Sequence, residues 1–385
     1  MDGVRGFLDE LAGRLVPACD RAVVQAVFAR ASAGYTGPRG RDGLRVTAIA
    51  PSGVPFEASV TGGVGRSPAA LRYVTETATG MPFFGPRLAA QRAALDDLIG
   101  WLPAEARSSA GELRAAIDVL FPDPGRVPAR RRFATTFGVV HHAGVPDGVA
   151  GLKLYGNLRT GEPRTAAAGA ADALARLGAR WPAVGELHAR LGDLVFLEPH
   201  FTTVEVDAAG RVRHKLYLRA RRANAAGLAV AARRFGAELA PLAAELCRAG
   251  VADDVWRQPF FVCAATVPGG DADGGGRDGG GREGGGGRGD GGWRDGDTTE
   301  DPGSCELSVH LSAKALRLDG DGMARLARTL VERHGDAAAL DALGAAVARA
   351  GGAGCWTTTV VGLGLAPGSG VGKVNVYTAT LDPRG

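Results

Sequence analysis

RVRHKLYLR, residues 211–219, alternates strictly. Val212, His214, Leu216 and Leu218 fall on one side of an extended chain, and Arg213, Lys215, Tyr217 and Arg219 on the other. At strand rise, neighbours in each row stand about 7 Å apart. An edge strand guarded by charge against aggregation is one reading. Recurrence argues against it. GLKLYGNL (151–158) sets Lys153 and Tyr155 on one face, and GKVNVYTA (372–379) does the same for Lys373, Asn375 and Tyr377. Three guarded edges in one domain would be uneconomical. Neighbouring strands of a closed barrel, each turning Lys and Tyr inward, account for all three.

The rest of the chain supplies the strands and helices such a barrel needs. An amphipathic helical pattern covers residues 7–30, interrupted near Pro17, and strand-like runs follow at 44–50, 54–61 and 70–77. Helical patterns at 86–101 and 110–120 precede strands at 133–142 and 149–158. Helices fill 166–191, with a break at Trp181-Pro182. Strands at 193–206 and 211–219 are joined by DAAGR, a hairpin signal. Residues 223–249 are helical and divided near Pro241; strands follow at 260–267 and 305–312, and helices at 322–334 and 336–350. The last strands are 355–365 and 372–380. Helices followed by a strand pair thus recur five times, and no unit could bury its apolar face alone. Hairpins imply antiparallel pairing. The expected fold is α+β: a ten-stranded antiparallel barrel surrounded by helices, one domain over residues 1–385.

One segment departs from this order. Residues 268–303 are Gly, Asp and Arg with almost no apolar side chain except Trp293. That composition predicts a disordered loop inside the fourth hairpin, whose closure tolerates a long insertion. An RNA-binding Arg/Gly segment is the alternative, disfavoured by mixed charge and internal position. A net charge of +4 is too mild to argue for nucleic acid. Five scattered cysteines without metal-ligand spacing predict reduced thiols, and no run reaches the ~20 apolar residues of a membrane span. A cytoplasmic protein, without membrane or nucleic-acid partners, is expected.

If the basic strands turn one face to a common chamber, Arg72, Lys153, Arg213, Lys215 and Lys373 converge. Enclosing five cations without anions would be prohibitive. A diphosphate is the natural counterpart, and Lys and Arg can neutralise it without a metal. No helical Asp-rich pair of the DDxxD kind is present; GGDADGGG (269–276) lies in the low-complexity segment. No cofactor is expected. Tyr155, Tyr217 and Tyr377 would add rings that stabilise an allylic cation and hydroxyls that reach a phosphate, unless they are merely core tyrosines.

These strands resemble the aromatic prenyltransferases of the ABBA barrel fold, in particular the dimethylallyltryptophan synthase-like, indole-prenylating branch. The resemblance spans the chain outside the Gly-rich segment. It rests on VPFEASVT then LRYVTET, on the Lys-x-Tyr of GLKLYG, on Arg-x-Lys-x-Tyr, and on the last-strand tyrosine of KVNVYTA. It implies that Glu57 accepts a hydrogen bond from an indole N–H. Arg72, Lys153, Arg213, Lys215 and Lys373 would hold diphosphate, with Tyr155, Tyr217, Tyr377 and His310 around the cation. There are departures from the family pattern. The fourth repeat offers Ser308 and His310 where Gln-x-Tyr is usual, Lys373 stands where a tyrosine is common, and Thr135 or Thr136 stands nearest the place where many members carry a lysine proposed as proton acceptor. The proton acceptor is therefore open among Glu57, His142, His310 and the released diphosphate. The implied reaction is a metal-independent Friedel–Crafts transfer of a dimethylallyl or longer prenyl group from its diphosphate to an indole, tryptophan or other electron-rich aromatic acceptor, by a monomer or homodimer. The alternatives are a non-catalytic barrel that binds a phosphorylated ligand and, behind it, a nucleic-acid binder.

Overall fold

In the computed structural model ten strands close into one antiparallel barrel, in the order β1-β10-β9-β8-β7-β6-β5-β4-β3-β2. The structure describes residues 1–39, 47, 49, 50, 52–63, 69–128, 135–159, 165–266, 305–334, 336–366 and 370–381. Five helix-then-hairpin units follow one another. Helices α1 (Asp2–Leu15) and α2 (Arg21–Ala31) precede β1 (Phe56–Gly63) and β2 (Ala70–Thr75). Next come α3 (Phe84–Ile99), α4 (Ala104–Ser109) and α5 (Gly111–Leu120), then β3 (Thr135–His142) and β4 (Gly151–Asn157). Helices α6 (Ala166–Arg180) and α7 (Pro182–Ala189) lead to β5 (Leu197–Asp207) and β6 (Val212–Ala220). Helices α8 (Ala225–Arg233) and α9 (Leu239–Arg248) lead to β7 (Phe260–Thr266) and β8 (Cys305–Ser312). Last are α10 (Ala313–Leu316), α11 (Gly320–His334) and α12 (Ala338–Arg349), with β9 (Trp356–Ala366) and β10 (Gly370–Thr380).

Local chemistry explains most boundaries. Asp20 caps α2 by accepting from the Ala22 amide at 2.7 Å, and Asn224 caps α8 through the Gly227 amide, also at 2.7 Å. Trp181-Pro182 divides α6 from α7 as expected, with Pro182 opening the second helix. The division of 223–249 is not at Pro241. That proline sits in the first turn of α9, where its missing N–H is no loss, and the break falls before it, at Gly236 with φ +67°. The 207–211 turn forms as read: Asp207 Oδ1 accepts from the Ala209 and Arg211 amides, and Gly210 takes φ +76°. Strand β5 starts at Leu197 rather than 193, and α4 is an additional short helix. Thr47, Ile49 and Ala50, the described part of the 44–50 run, are not in a strand. The start of the 133–142 strand and the 268–303 segment lie outside the described residues.

Strand alternation then decides what is core and what is chamber. The outward row of β6 (His214, Leu216, Leu218 and Ala220) is buried under the helices, whereas Arg213, Lys215, Tyr217 and Arg219 are only half-buried and point inward. The same division sends Leu71 and Tyr73 outward and Arg72 inward on β2. The apolar core is therefore the shell between barrel and helices. One knot of it stacks Phe7 on Trp356 at 4.0 Å and Phe56 against Tyr73 and Phe28. Each such buried side chain contributes roughly 1.5–3 kcal/mol. This shell leaves the barrel interior free to be polar. Among the described residues no helix is long and apolar enough to cross a membrane.

Candidate functional site

The inward rows enclose a cavity of about 180 Å³. All five cations expected to converge line it: Arg72 from β2, Lys153 from β4, Arg213 and Lys215 from β6, and Lys373 from β10. Antiparallel register brings them level, because Lys153 stands opposite Glu205, and Glu205 opposite Arg213. The convergence is accompanied by acids that were not anticipated. Glu205 on β5 bridges Lys153 Nζ and Lys215 Nζ, each at 2.8 Å. Arg213 pairs with Glu306 at the half-exposed rim and donates to the Thr266 carbonyl. Five cations against these two carboxylates leave a formal excess of three positive charges.

Arg72 and Lys373 have no carboxylate partner among the described residues. The Arg72 guanidinium instead donates to Thr61 Oγ1 at 2.6 Å, and that hydroxyl donates to Asn375 Oδ1 at 2.8 Å. Burial lowers the Lys153 ammonium to about 7 against the pull of Glu205. Lys373 falls to about 8 through burial and its neighbours Lys215 and Arg72. Glu205 behaves oppositely. Burial would raise it, but the two ammonium groups outweigh burial and hold it well below the usual carboxylate range. The floor is thus a charged, compressed array with cations in surplus, suited to an anion with many acceptor oxygens.

Further along the inward rows from these cations stand the rings. Tyr155 follows Lys153 and Tyr217 follows Lys215, with their centroids 6.1 Å apart. His310 lies between Tyr217 and Tyr377, at 5.7 and 5.8 Å. Its Nε2 is 3.0 Å from Ser308 Oγ. Burial, with Lys215 and Lys373 nearby, lowers the imidazole to about 4, so it is neutral and acts as a fourth ring. Burial raises all three phenols, which remain hydrogen-bond donors. Small residues on facing strands make room. A Cβ on Gly362 would meet the His310 ring at 3.0 Å and Tyr377 at 3.4 Å, and one on Gly138 would meet Tyr155 at 3.1 Å.

Glu57 lies on the inward row of β1, one step beyond Ser59, which lines the cavity. It is outside the cavity proper. Its Oε1 accepts from Thr359 Oγ1 at 2.7 Å, and burial pushes the carboxyl up to about 7. His142, also considered for proton transfer, and Thr135 do not line the cavity. His142, at the end of β3, accepts from the Gly144 amide. Thr135 faces outward and donates to Gln91, leaving Thr136 on the register that opposes Tyr155. His141 also points outward, 3.1 Å from the Gly148 carbonyl. Among the described residues no group of three or more His, Cys, Asp or Glu could hold a metal ion.

Glu205, Thr61, Thr359 and the inward glycines were missed by the sequence reading. For Glu205 a signal was available: the 207–211 hairpin turn sets the register that puts Glu205 opposite Arg213.

No family model matches the chain, and no curated protein matches it. Solved structures do. A 6-dimethylallyltryptophan synthase from Micromonospora olivasterospora, in complex with DMASPP and Trp, superposes with TM-score 0.66 and 20% identity over 98% of this chain and 96% of that one. The 5-dimethylallyltryptophan synthase from Streptomyces coelicolor gives 0.63 and 18% over 99% and 97%. AnaPT from Neosartorya fischeri gives 0.58 and 14% over 98% and 92%. The barrel is therefore the ABBA fold of the aromatic prenyltransferases.

Proposed function

We propose that this chain is a prenyltransferase that moves a dimethylallyl or longer allylic group from its diphosphate to an indole- or tryptophan-like aromatic acceptor. One observation carries the reading: four neighbouring rings, two of them one strand step beyond Lys153 and Lys215, stand with a cation-rich floor inside a closed barrel. The floor residues Arg72, Lys153, Arg213, Lys215 and Lys373 bind the diphosphate and stabilise it as the C1–O bond breaks, its electron pair leaving on the diphosphate oxygen. Tyr155, Tyr217, Tyr377 and His310 flank the allylic cation and keep water from it. The acceptor ring lies beside the cation, oriented by an N–H bond to Glu57, and attacks C1. The arenium ion then loses its proton to restore aromaticity. With a pKa near 7, Glu57 is poised to take that proton, as is the departing diphosphate; His310, lowered to about 4, is a poor base. Because lysines and arginines supply the neutralising charge, turnover is expected to persist in EDTA. The neighbours crystallised with Trp and a diphosphate analogue support this choice of partners.

Incubation of the full chain with dimethylallyl diphosphate and a panel of tryptophan and small indoles, in EDTA, tests the reading by mass spectrometry. A product heavier by one prenyl unit is the expected result. Diphosphate binding without any product would favour a non-catalytic carrier barrel, and no diphosphate binding would overturn both. Glu57→Ala should impair acceptor use with donor binding retained, and Lys215→Ala the reverse. Equal losses in both variants would contradict the assigned roles.

A further inference from the structure

Glu205 is an anion in a site built to receive one. Its carboxylate spans Lys153 and Lys215 at 2.8 Å from each. It sits on the cavity wall rather than the rim. One step along β5, on the register that faces Tyr155 and Lys215, the Thr203 hydroxyl is fully buried and has no hydrogen-bond partner among the described residues. The Glu205 carboxylate lies between the two ammonium groups, where an oxygen of a bound anion would otherwise sit.

We propose that Glu205 is the internal counter-ion of the diphosphate floor, a positioning residue that holds Lys153 and Lys215 in place when no ligand is bound and that lowers affinity for diphosphate by opposing its charge. The proposal rests on the diphosphate reading above. It follows from the pairing itself: the same two ammonium groups cannot give their full field to an incoming diphosphate while one carboxylate lies between them. The consequence is tempered affinity for both donor and released diphosphate, with the lysines preorganised instead of repelling each other. The charged and titratable groups around Glu205 are Lys153 and Tyr155 on β4, Arg213 and Lys215 on β6, and Arg72 and Tyr377 across the chamber. Among them burial lowers Lys153 to about 7. Loss of the Glu205 charge lowers that value further, so the ammonium is given up at a lower pH.

The test is titration of the full chain and of Glu205→Gln with inorganic diphosphate, between about pH 6 and pH 8.5. Two effects are expected together. At the acid end Glu205→Gln binds about tenfold more tightly, because a like charge is gone. As pH rises its affinity falls earlier than that of the wild type, and the gap closes or reverses. Glu205→Asp keeps the charge and should show no gain at the acid end. Uniformly weaker or unchanged binding by Glu205→Gln, parallel pH profiles, or an equal gain in Glu205→Asp would overturn the proposal and leave the prenyl-transfer reading intact. Failure of the wild type to bind inorganic diphosphate would instead remove the reading on which it rests.

Discussion

Replacing Glu57 by glutamine should make the protein more stable at alkaline pH while impairing its use of the acceptor. Burial holds the carboxyl at about 7 against an ordinary value of 4.5, and the Thr359 hydroxyl offsets only part of that cost. The folded state thus binds this proton more tightly than the unfolded chain does. Stability is highest below the unfolded value, falls as pH rises between about 4.5 and about 7, and is then level. Each pH unit across that window is worth about 1.4 kcal/mol, so the charged carboxylate costs up to about 3 kcal/mol above pH 7, less whatever screening water in the chamber supplies. Glutamine has the same shape, can still accept from Thr359, and carries no charge. Urea unfolding at about pH 5 and about pH 8.5 reads the difference. Glu57→Gln should match the wild type at the lower pH and exceed it by about 1–3 kcal/mol at the higher. The buried Glu76 adds a pH dependence of its own, but it is common to both proteins and cancels in the comparison. In parallel, the acceptor kcat/KM of the wild type should climb with pH through about 7, as the carboxylate that receives the N–H forms, and the variant should lack that limb. A variant less stable than the wild type at pH 8.5, or an equal difference at both pH values, would refute the account of Glu57 as an enclosed, destabilising charge.

Gly362→Val should crowd the His310 and Tyr377 rings, since even a Cβ would lie 3.0 Å from the imidazole. Overpacking of this kind costs roughly 1–3 kcal/mol. Turnover should fall by about tenfold or more, with inorganic diphosphate binding nearly unchanged, as measured by product formation and calorimetry. A proportionate loss of both would indicate general collapse of the barrel instead. A third prediction concerns the shell. Glu76 and Arg87 are both buried, 3.5 Å apart, and Glu76 also accepts from Thr47. Arg87→Met would strip the Thr79 and Met81 carbonyls of their guanidinium donors and should cost about 1–3 kcal/mol in urea unfolding at neutral pH. Glu76→Gln should be far milder, because burial already raises that carboxyl to about 8 and keeps it largely protonated.

The barrel was legible because its signal is periodic and repeated. Inward Lys and Tyr at period two, hairpin turns and five helix-then-strand-pair units are local properties, and the packed shell agrees with all of them. The five cations and three tyrosines were found for the same reason: strand alternation alone sets which face each occupies. Local pattern was weaker where one residue can serve two purposes. Pro241 reads as a helix break, yet in a first turn it is harmless, and only the positive φ of Gly236 marks the division. The acids were harder still. Glu205 sits in TTVEVD, where a charge on a strand suggests solvent; only closure of the sheet makes that face an interior and brings Lys153 and Lys215 to either side. The weakened acidity of Glu57, the neutrality of His310 and the room made by Gly362 depend on distances between strands far apart in the chain. Sequence by itself determined which side chains face the chamber, since that depends on backbone period. Tertiary structure decided their charge and company, because desolvation and Coulomb forces act through space rather than along the chain.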